Sequence, residues 1–157
     1  MITSIAIYDA LGLGSVGLDA FPYPLQEFSW QYPIIGDTVA KPFAAGRWDT
    51  RQSADAMTIT CEGTIVENTT TAYWTSRKAL LAKVLPAFAQ DANTYRHSHI
   101  RMVLDGDATV YYADVQLSSF AVPVAATGSP TVSPFQFNWT CNFGYWRDLS
   151  TNNPAYI

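Results

Sequence analysis

Residues 57–66 read Met-Thr-Ile-Thr-Cys-Glu-Gly-Thr-Ile-Val. In an extended chain Met57, Ile59, Cys61, Gly63 and Ile65 share one face, and Thr58, Thr60, Glu62 and Thr64 share the other. A second stretch, FQFNWTCNF at 135–143, repeats the pattern. There Phe135, Phe137, Trp139, Cys141 and Phe143 point inward, and Gln136, Asn138, Thr140 and Asn142 point outward. Both stretches read as strands with one apolar side, the mark of a sheet laid against a core.

Working outward, Ile2 to Tyr8 is a further strand, rich in β-branched residues. Leu25 to Ile35 is another, with an aromatic face and an end near Pro33. Asn68-Thr69-Thr70-Thr71 supplies capping side chains for a helix over about 71–85, whose apolar stripe is Trp74, Leu81, Leu85 and Phe88, widened by Tyr73, Leu80 and Val84. Pro86 stops it. His99 to Leu104 and Ala108 to Phe120 flank Asp105-Gly106, a two-residue hairpin signal whose central positions favour φ > 0. Val124 to Pro134 reads as a loop.

Two long segments, 9–24 and 36–54, show neither helical nor strand period and read as loop arms, and the tail from about 144 to 157 reads as irregular. These elements imply a single domain over 1–157, mainly β with one helix, built as a β-sandwich or curled sheet with the helix packed on one side.

Charged residues make up 14% of the 157 residues, against about 25% in average domains. Five Trp, nine Tyr and eight Phe accompany that low charge. Either the aromatics fill a large core or partner subunits cover part of the surface. The net charge is −4 and the nine basic residues are scattered, so no stripe is present to neutralise phosphates. No apolar run approaches the ~18 residues of a membrane span. The N-terminus lacks the basic start of a signal peptide, which implies a reducing compartment and free thiols.

Motifs that might carry chemistry are few. Gly12-Leu13-Gly14-Ser15-Val16-Gly17 matches the dinucleotide fingerprint, but Pro22 and Pro24 forbid the helix that must follow. His97 and His99 would share a strand face, a spacing more often met on half-exposed surface than in a metal site. Cys61 and Cys141 fall on inward faces, where Cys acts as a small hydrophobe. No catalytic set, metal or cofactor is expected.

From about Ala45 to Tyr145 the order of elements resembles the N-terminal domain of distal tail proteins from long-tailed bacteriophages. The resemblance rests on an arm with Gly46, Arg47 and Arg51, the strand Ile59 to Ile65, and the helix YWTSRKALLAKVLP. It continues through IRMVLDGDATVYYADVQL, a Pro-containing loop and the closing FQFNWTCNFGYW. It implies a tail-tube-like β-sandwich that forms a hexameric ring in the virion, assembled in the host bacterial cytoplasm. Such a ring joins the tail tube to hub or tip proteins and encloses the channel through which DNA passes as cargo. The family has no catalytic residues to carry over. The length of 157 residues leaves no room for the carbohydrate-like C-terminal domain of longer members.

Phe21, Tyr23, Phe43, Arg47, Trp48, Arg51, Tyr145 and Trp146 are the candidate interface residues. Asp37, Asp49, Asp105 and Asp107 are candidates to face the channel. A tail-tube or other minor tail subunit fits the same pattern. A different class also fits, a monomeric ligand-binding β-sandwich such as a carbohydrate-binding module that stacks sugars on Trp30, Trp48 and Tyr23.

Overall fold

The computed structural model describes residues 1–9, 14–32, 34–40, 47–54, 56–85, 87–89, 94–96, 98–124, 130–141, 143–155 and 157, with the backbone alone at 34–40, 47–54, 87–89 and 94–96. In chain order the elements are β1 (Ile2–Tyr8), β2 (Ser15–Gly17), β3 (Leu25–Gln31), β4 (Ile34–Ala40), β5 (Arg47–Ala54), β6 (Met57–Val66) and α1 (Thr70–Val84). Then follow β7 (Ala87–Ala89), β8 (Thr94–Arg96), β9 (His99–Leu104), β10 (Val110–Asp114), β11 (Gln116–Ala121), β12 (Val132–Cys141), β13 (Trp146–Asp148) and β14 (Pro154–Ala155).

Two antiparallel sheets carry the fold: β14-β13-β10-β9-β1-β2 and β11-β12-β6-β3. The two strands of clearest alternation are neighbours. β12 pairs with β6 over ten residues, from Val132↔Val66 to Cys141↔Met57. Their apolar faces point the same way and meet Ile5, Ile7, Ile100, Met102, Ala113 and Trp146 of the six-stranded sheet in one buried cluster. Among the described residues the chain adopts the expected mainly-β architecture with one helix.

The helix lies against β1, β2 and β6, so it closes one side of the sandwich by touching both sheets. Thr69 caps it, its hydroxyl accepting from the Ala72 amide at 3.2 Å. Its buried side chains are Tyr73, Leu80 and Val84. The stripe expected through Trp74, Leu81 and Leu85 is therefore rotated by one residue: Trp74 and Leu81 pack partly buried at its margin, and Leu85 is 38% exposed. Both readings space apolar residues correctly. Which of two adjacent rows faces inward depends on where the sheet lies.

Several sequence expectations need correction. The segment 108–120 is two strands in different sheets, because the chain crosses the sandwich at the buried Val115, whose amide donates to Ser98 O at 3.0 Å. The turn after Leu104 has positive φ only at Gly106, with Asp107 N bonded to Leu104 O at 3.1 Å. β12 starts at Val132 and stops at Cys141, so Phe143 lies outside it and is half exposed. Pro134 enters β12 without penalty because it sits beyond Gln136, the last residue paired with β11.

The two arms and the tail are also structured. In the first arm β2 pairs with β1, Leu18 and Tyr23 are buried, and the Val66 and Thr64 amides donate to Pro22 O and Pro24 O. The described part of the G-x-G-x-x-G match, from Gly14 on, thus belongs to a β-hairpin. The second arm contains the β4–β5 hairpin, paired from Ile34↔Ala54 to Ala40↔Arg47. Backbone ladders need no apolar alternation, so a two-stranded ribbon leaves no period to read. Strands of three and two residues in the tail are equally illegible, yet β13 and β14 extend the six-stranded sheet and Trp146 is fully buried.

Candidate assembly interface

The candidate interface residues separate into three groups. Tyr23 and Trp146 belong to the chain's own core, at 6% and 0% exposure, which removes both as contacts for a partner. Tyr23 also donates its hydroxyl to the Ser76 carbonyl at 2.7 Å, tying the first arm to the helix. Their large apolar area stabilises this fold rather than an interface. Phe21 is 63% exposed beside the buried Tyr23, and Tyr145 is half-buried. Arg47, Trp48 and Arg51 are carried on β5, where the backbone alone is described, and Phe43 lies outside the described residues.

Phe21 is joined by two residues without a sequence signal. Val124 and Val132 are exposed near the same end of the four-stranded sheet, because Val132 pairs with Val66, Val66 bonds Pro22 O, and Ser133 Oγ donates to Pro123 O at 2.8 Å. Neither valine stands out by spacing, since β-branched residues are ordinary in strands.

The outward face of that sheet is tiled with hydroxyls and amides. Thr60 Oγ1 donates to Asn138 Oδ1, and Asn138 Nδ2 to Ser119 Oγ, each at 3.0 Å. Ser118 and Thr140 hydroxyls are 2.7 Å apart, Gln26 Nε2 donates to Thr64 Oγ1 at 3.0 Å, and Gln136 Nε2 to Glu62 Oε1 at 2.5 Å. The register puts Glu27 directly opposite Glu62. No Lys, Arg or His lies among the strand residues of this face. It is a polar, mildly anionic surface whose side chains are already bonded to one another.

The channel candidates are not on that sheet. Asp37 and Asp49 are on β4 and β5, while Asp105 and Asp107 are in the turn before β10. Asp107 accepts from the Tyr111 hydroxyl and the Thr109 amide, which hold its carboxyl below the usual range.

The groups considered for chemistry are placed as follows. Cys61 and Cys141 are buried and free, on the inward faces of β6 and β12, and burial raises both thiols above their ordinary range. His99 stacks on Tyr8, and His97 lies outside the described residues. Among the described residues no cluster of three His, Cys, Asp or Glu is placed to hold a metal. Tyr23 is buried and offers a sugar no ring face, while Trp30 is half-buried with its indole N–H on Ile157 O at 3.1 Å. No helix among the described residues is long and apolar enough to cross a membrane.

No protein-family model matches the chain, and no curated protein matches it in sequence. Its fold does match a solved structure, the SPP1 Dit (gp 19.1) protein, described as a paradigm of the hub adsorption apparatus in phages infecting Gram-positive bacteria. The TM-score is 0.55 at 12% identity, covering 92% of this chain and 52% of that one. This chain has a distal-tail-protein fold. It spans about half the length of SPP1 Dit. A chain from the virion of a native gene transfer agent particle aligns with a TM-score of 0.46 at 8% identity, over 87% of this chain and 89% of that one. The distal-tail fold accounts for the two sheets and the flanking helix together, and it carries the resemblance seen in the sequence at the level of architecture.

Proposed function

We propose that this protein is a structural, non-enzymatic component of a phage tail, forming a ring at its distal end between the tail tube and the hub or tip. The observation that carries the reading is the fold likeness to SPP1 Dit over nearly the whole chain. We assign six copies to the ring, the virion tail as its location and the tube and hub proteins as its neighbours.

The geometry supports ring closure in physical terms. β3 and β11 end the four-stranded sheet on opposite sides, so each presents an edge with unpaired amides and carbonyls among the described residues. Such edges are templates for strand pairing. Two different edges joined head to tail make a heterologous contact, which closes into a ring when the rotation allows. The β4–β5 hairpin is a second contact, since a two-stranded ribbon gains stability by packing on something else. In this arrangement the hydroxyl- and amide-covered face lines the channel. Lacking cations, it lets a polyanion slide past without holding it.

Mass and shape in solution test the reading. Native mass spectrometry should give a multiple of 17.3 kDa, with six-fold rings in negative stain. In rings the 34–54 hairpin should resist limited proteolysis, and duplex DNA should not bind at micromolar concentration in physiological salt. A protein that stays monomeric at high concentration, or that grips DNA tightly, overturns it.

A further inference from the structure

The outward side of the six-stranded sheet has a different character, which the ring does not use. Tyr8, Arg101, Tyr112 and Arg147 run across β1, β9, β10 and β13, with Tyr112 in register with both arginines. The Arg101 guanidinium carbon lies 4.0 Å from the centroid of Tyr8, whose ring also stacks on His99 at 4.9 Å and 9°. Arg147 lies 3.6 Å over the Phe143 ring, and its Nη1 donates to the Tyr112 hydroxyl at 3.4 Å and to Asn152 Oδ1 at 3.3 Å. Two strand spacings, about 10 Å, separate the backbones that carry the two guanidiniums.

Both cations are held, but by rings and neutral acceptors rather than in ion pairs. Among the described residues the ion pair is Lys83 with Asp9, and neither arginine has one. Arg101 Nε is buried with no acceptor. The face's own carboxylate, Asp114, is in register with His99 and attracts Arg147 at longer range without forming an ion pair with it. A guanidinium stacked by its flat face keeps in-plane N–H donors for a carboxylate, and Arg147, with Nη1 engaged, still has its other nitrogens to offer. Next to Arg101 is an open groove of about 260 Å³ lined by Ala6, Tyr8, Val103, Val110 and Leu149.

We propose that this face docks a partner protein through an acidic, aliphatic segment, with carboxylates on Arg101 and Arg147 and an aliphatic side chain in the groove beside Leu149. The local charges favour such a segment: Arg101 lines the groove, and Arg147 lies two strands away on the same face, neither in an ion pair among the described residues. Single-stranded nucleic acid is recognised by stacking on open aromatic faces, whereas Tyr8 and Phe143 have theirs occupied by Arg101, His99 and Arg147. Two cations also make a small footprint for a polyphosphate. The surface is distinct from the edges and the face used in the ring, so the two readings stand or fall separately.

The test is selection of a random-peptide library on the 157-residue protein, followed by affinity measurements with the peptides recovered. Selected peptides should combine Asp or Glu with Leu, Ile or Val, and their affinity should fall with added salt. Arg101→Gln and Arg147→Gln should each weaken binding about tenfold or more. Arg101→Lys should recover only part of the loss, because an ammonium cannot form the bidentate pair. Leu149→Asp covers the case in which an arginine variant fails to fold: it sits on the surface and should repel the same peptides. Peptides with no acidic enrichment, or binding unchanged in Arg101→Gln and Leu149→Asp, overturn the proposal. Displacement of the peptide by duplex DNA or a sulfated oligosaccharide would assign the face to a polyanion and overturn it too. Loss of self-association in Arg101→Gln would assign the face to a second copy and likewise overturn it.

Discussion

Lys83, at the end of α1, places its Nζ 2.6 Å from Oδ2 of Asp9, the residue after β1, with both side chains about four-fifths buried. The contact pins the helix end to the first hairpin, which itself closes through Asp9 N and Gly14 O at 3.0 Å. A Cβ on Gly14 would come within 2.6 Å of that Nζ, so the glycine leaves the passage open for the lysine.

Asp9→Asn should therefore destabilise the protein by about 1 kcal/mol, as a partly exposed ion pair would. Gly14→Ala should cost a similar amount by displacing the flexible end of Lys83, and the double variant should cost little more than either alone. Urea denaturation of the three proteins measures this. Additive losses would mean that Gly14 acts on something other than the pair.

The helix face is set by Leu80. It is fully buried, and Leu80→Ala should cost on the order of 2–5 kcal/mol. Leu85 lies outside the buried row, so Leu85→Ala should stay within about half a kcal/mol. Leu81, partly buried at the margin, should fall between them. A reversal of the Leu80 and Leu85 values in denaturant midpoints would contradict the observed phase.

Gly63 is the one gap in the apolar row of β6. An added Cβ would lie 2.4 Å from Phe135 Cζ and 2.8 Å from the Pro24 carbonyl. Gly63→Ala should cost about 1–3 kcal/mol through overpacking. Adding Phe135→Leu should return part of it, because a shorter side chain clears the first contact but not the second. Thermal unfolding of the single and double variants decides this. A neutral Gly63→Ala would show that the strand shifts freely.

His99 titrates below its ordinary value of 6.5, first because burial disfavours its charged form and second because Arg101 repels it, against weaker pulls from Asp114 and Asp9. With its folded pKa depressed, the histidine contributes stability that is present above about pH 6.5 and is lost as pH falls through the folded pKa. Its Nε2 is buried without a partner, so His99→Phe should keep the ring stack and flatten the decline below pH 6.5. Stability measured across that range is the check, and an unchanged slope would exclude His99 as its source.

Cys61 and Cys141 should react with a thiol reagent only as the protein unfolds, giving two free groups per chain in denaturant without reductant. Burial disfavours both thiolates, the reactive form. Fast labelling of the native protein would contradict the packing of β6 against β12.

The alternation in 57–66 and 135–143 was enough to place Met57, Ile59, Cys61, Ile65, Phe135, Phe137, Trp139 and Cys141 in the core, because each strand's period is a local property. The capping threonine and the apolar spacing likewise located the helix within a residue. Neither the helix's rotation nor the membership of strands in sheets was legible. From Tyr111 through Ala113 and Val115 to Leu117 the inward phase never breaks, although the strand leaves one sheet and joins the other. Alternation records which side faces the core and is blind to which partner supplies the hydrogen bonds. The same limit explains Tyr23 and Trp146, which sit in segments without period and so looked available to a partner. Long-range packing buries them in this chain's own core, against the helix and across the sandwich. The Arg101–Tyr112–Arg147 row is a register effect between strands far apart in sequence. It exists only once β9, β10 and β13 are side by side.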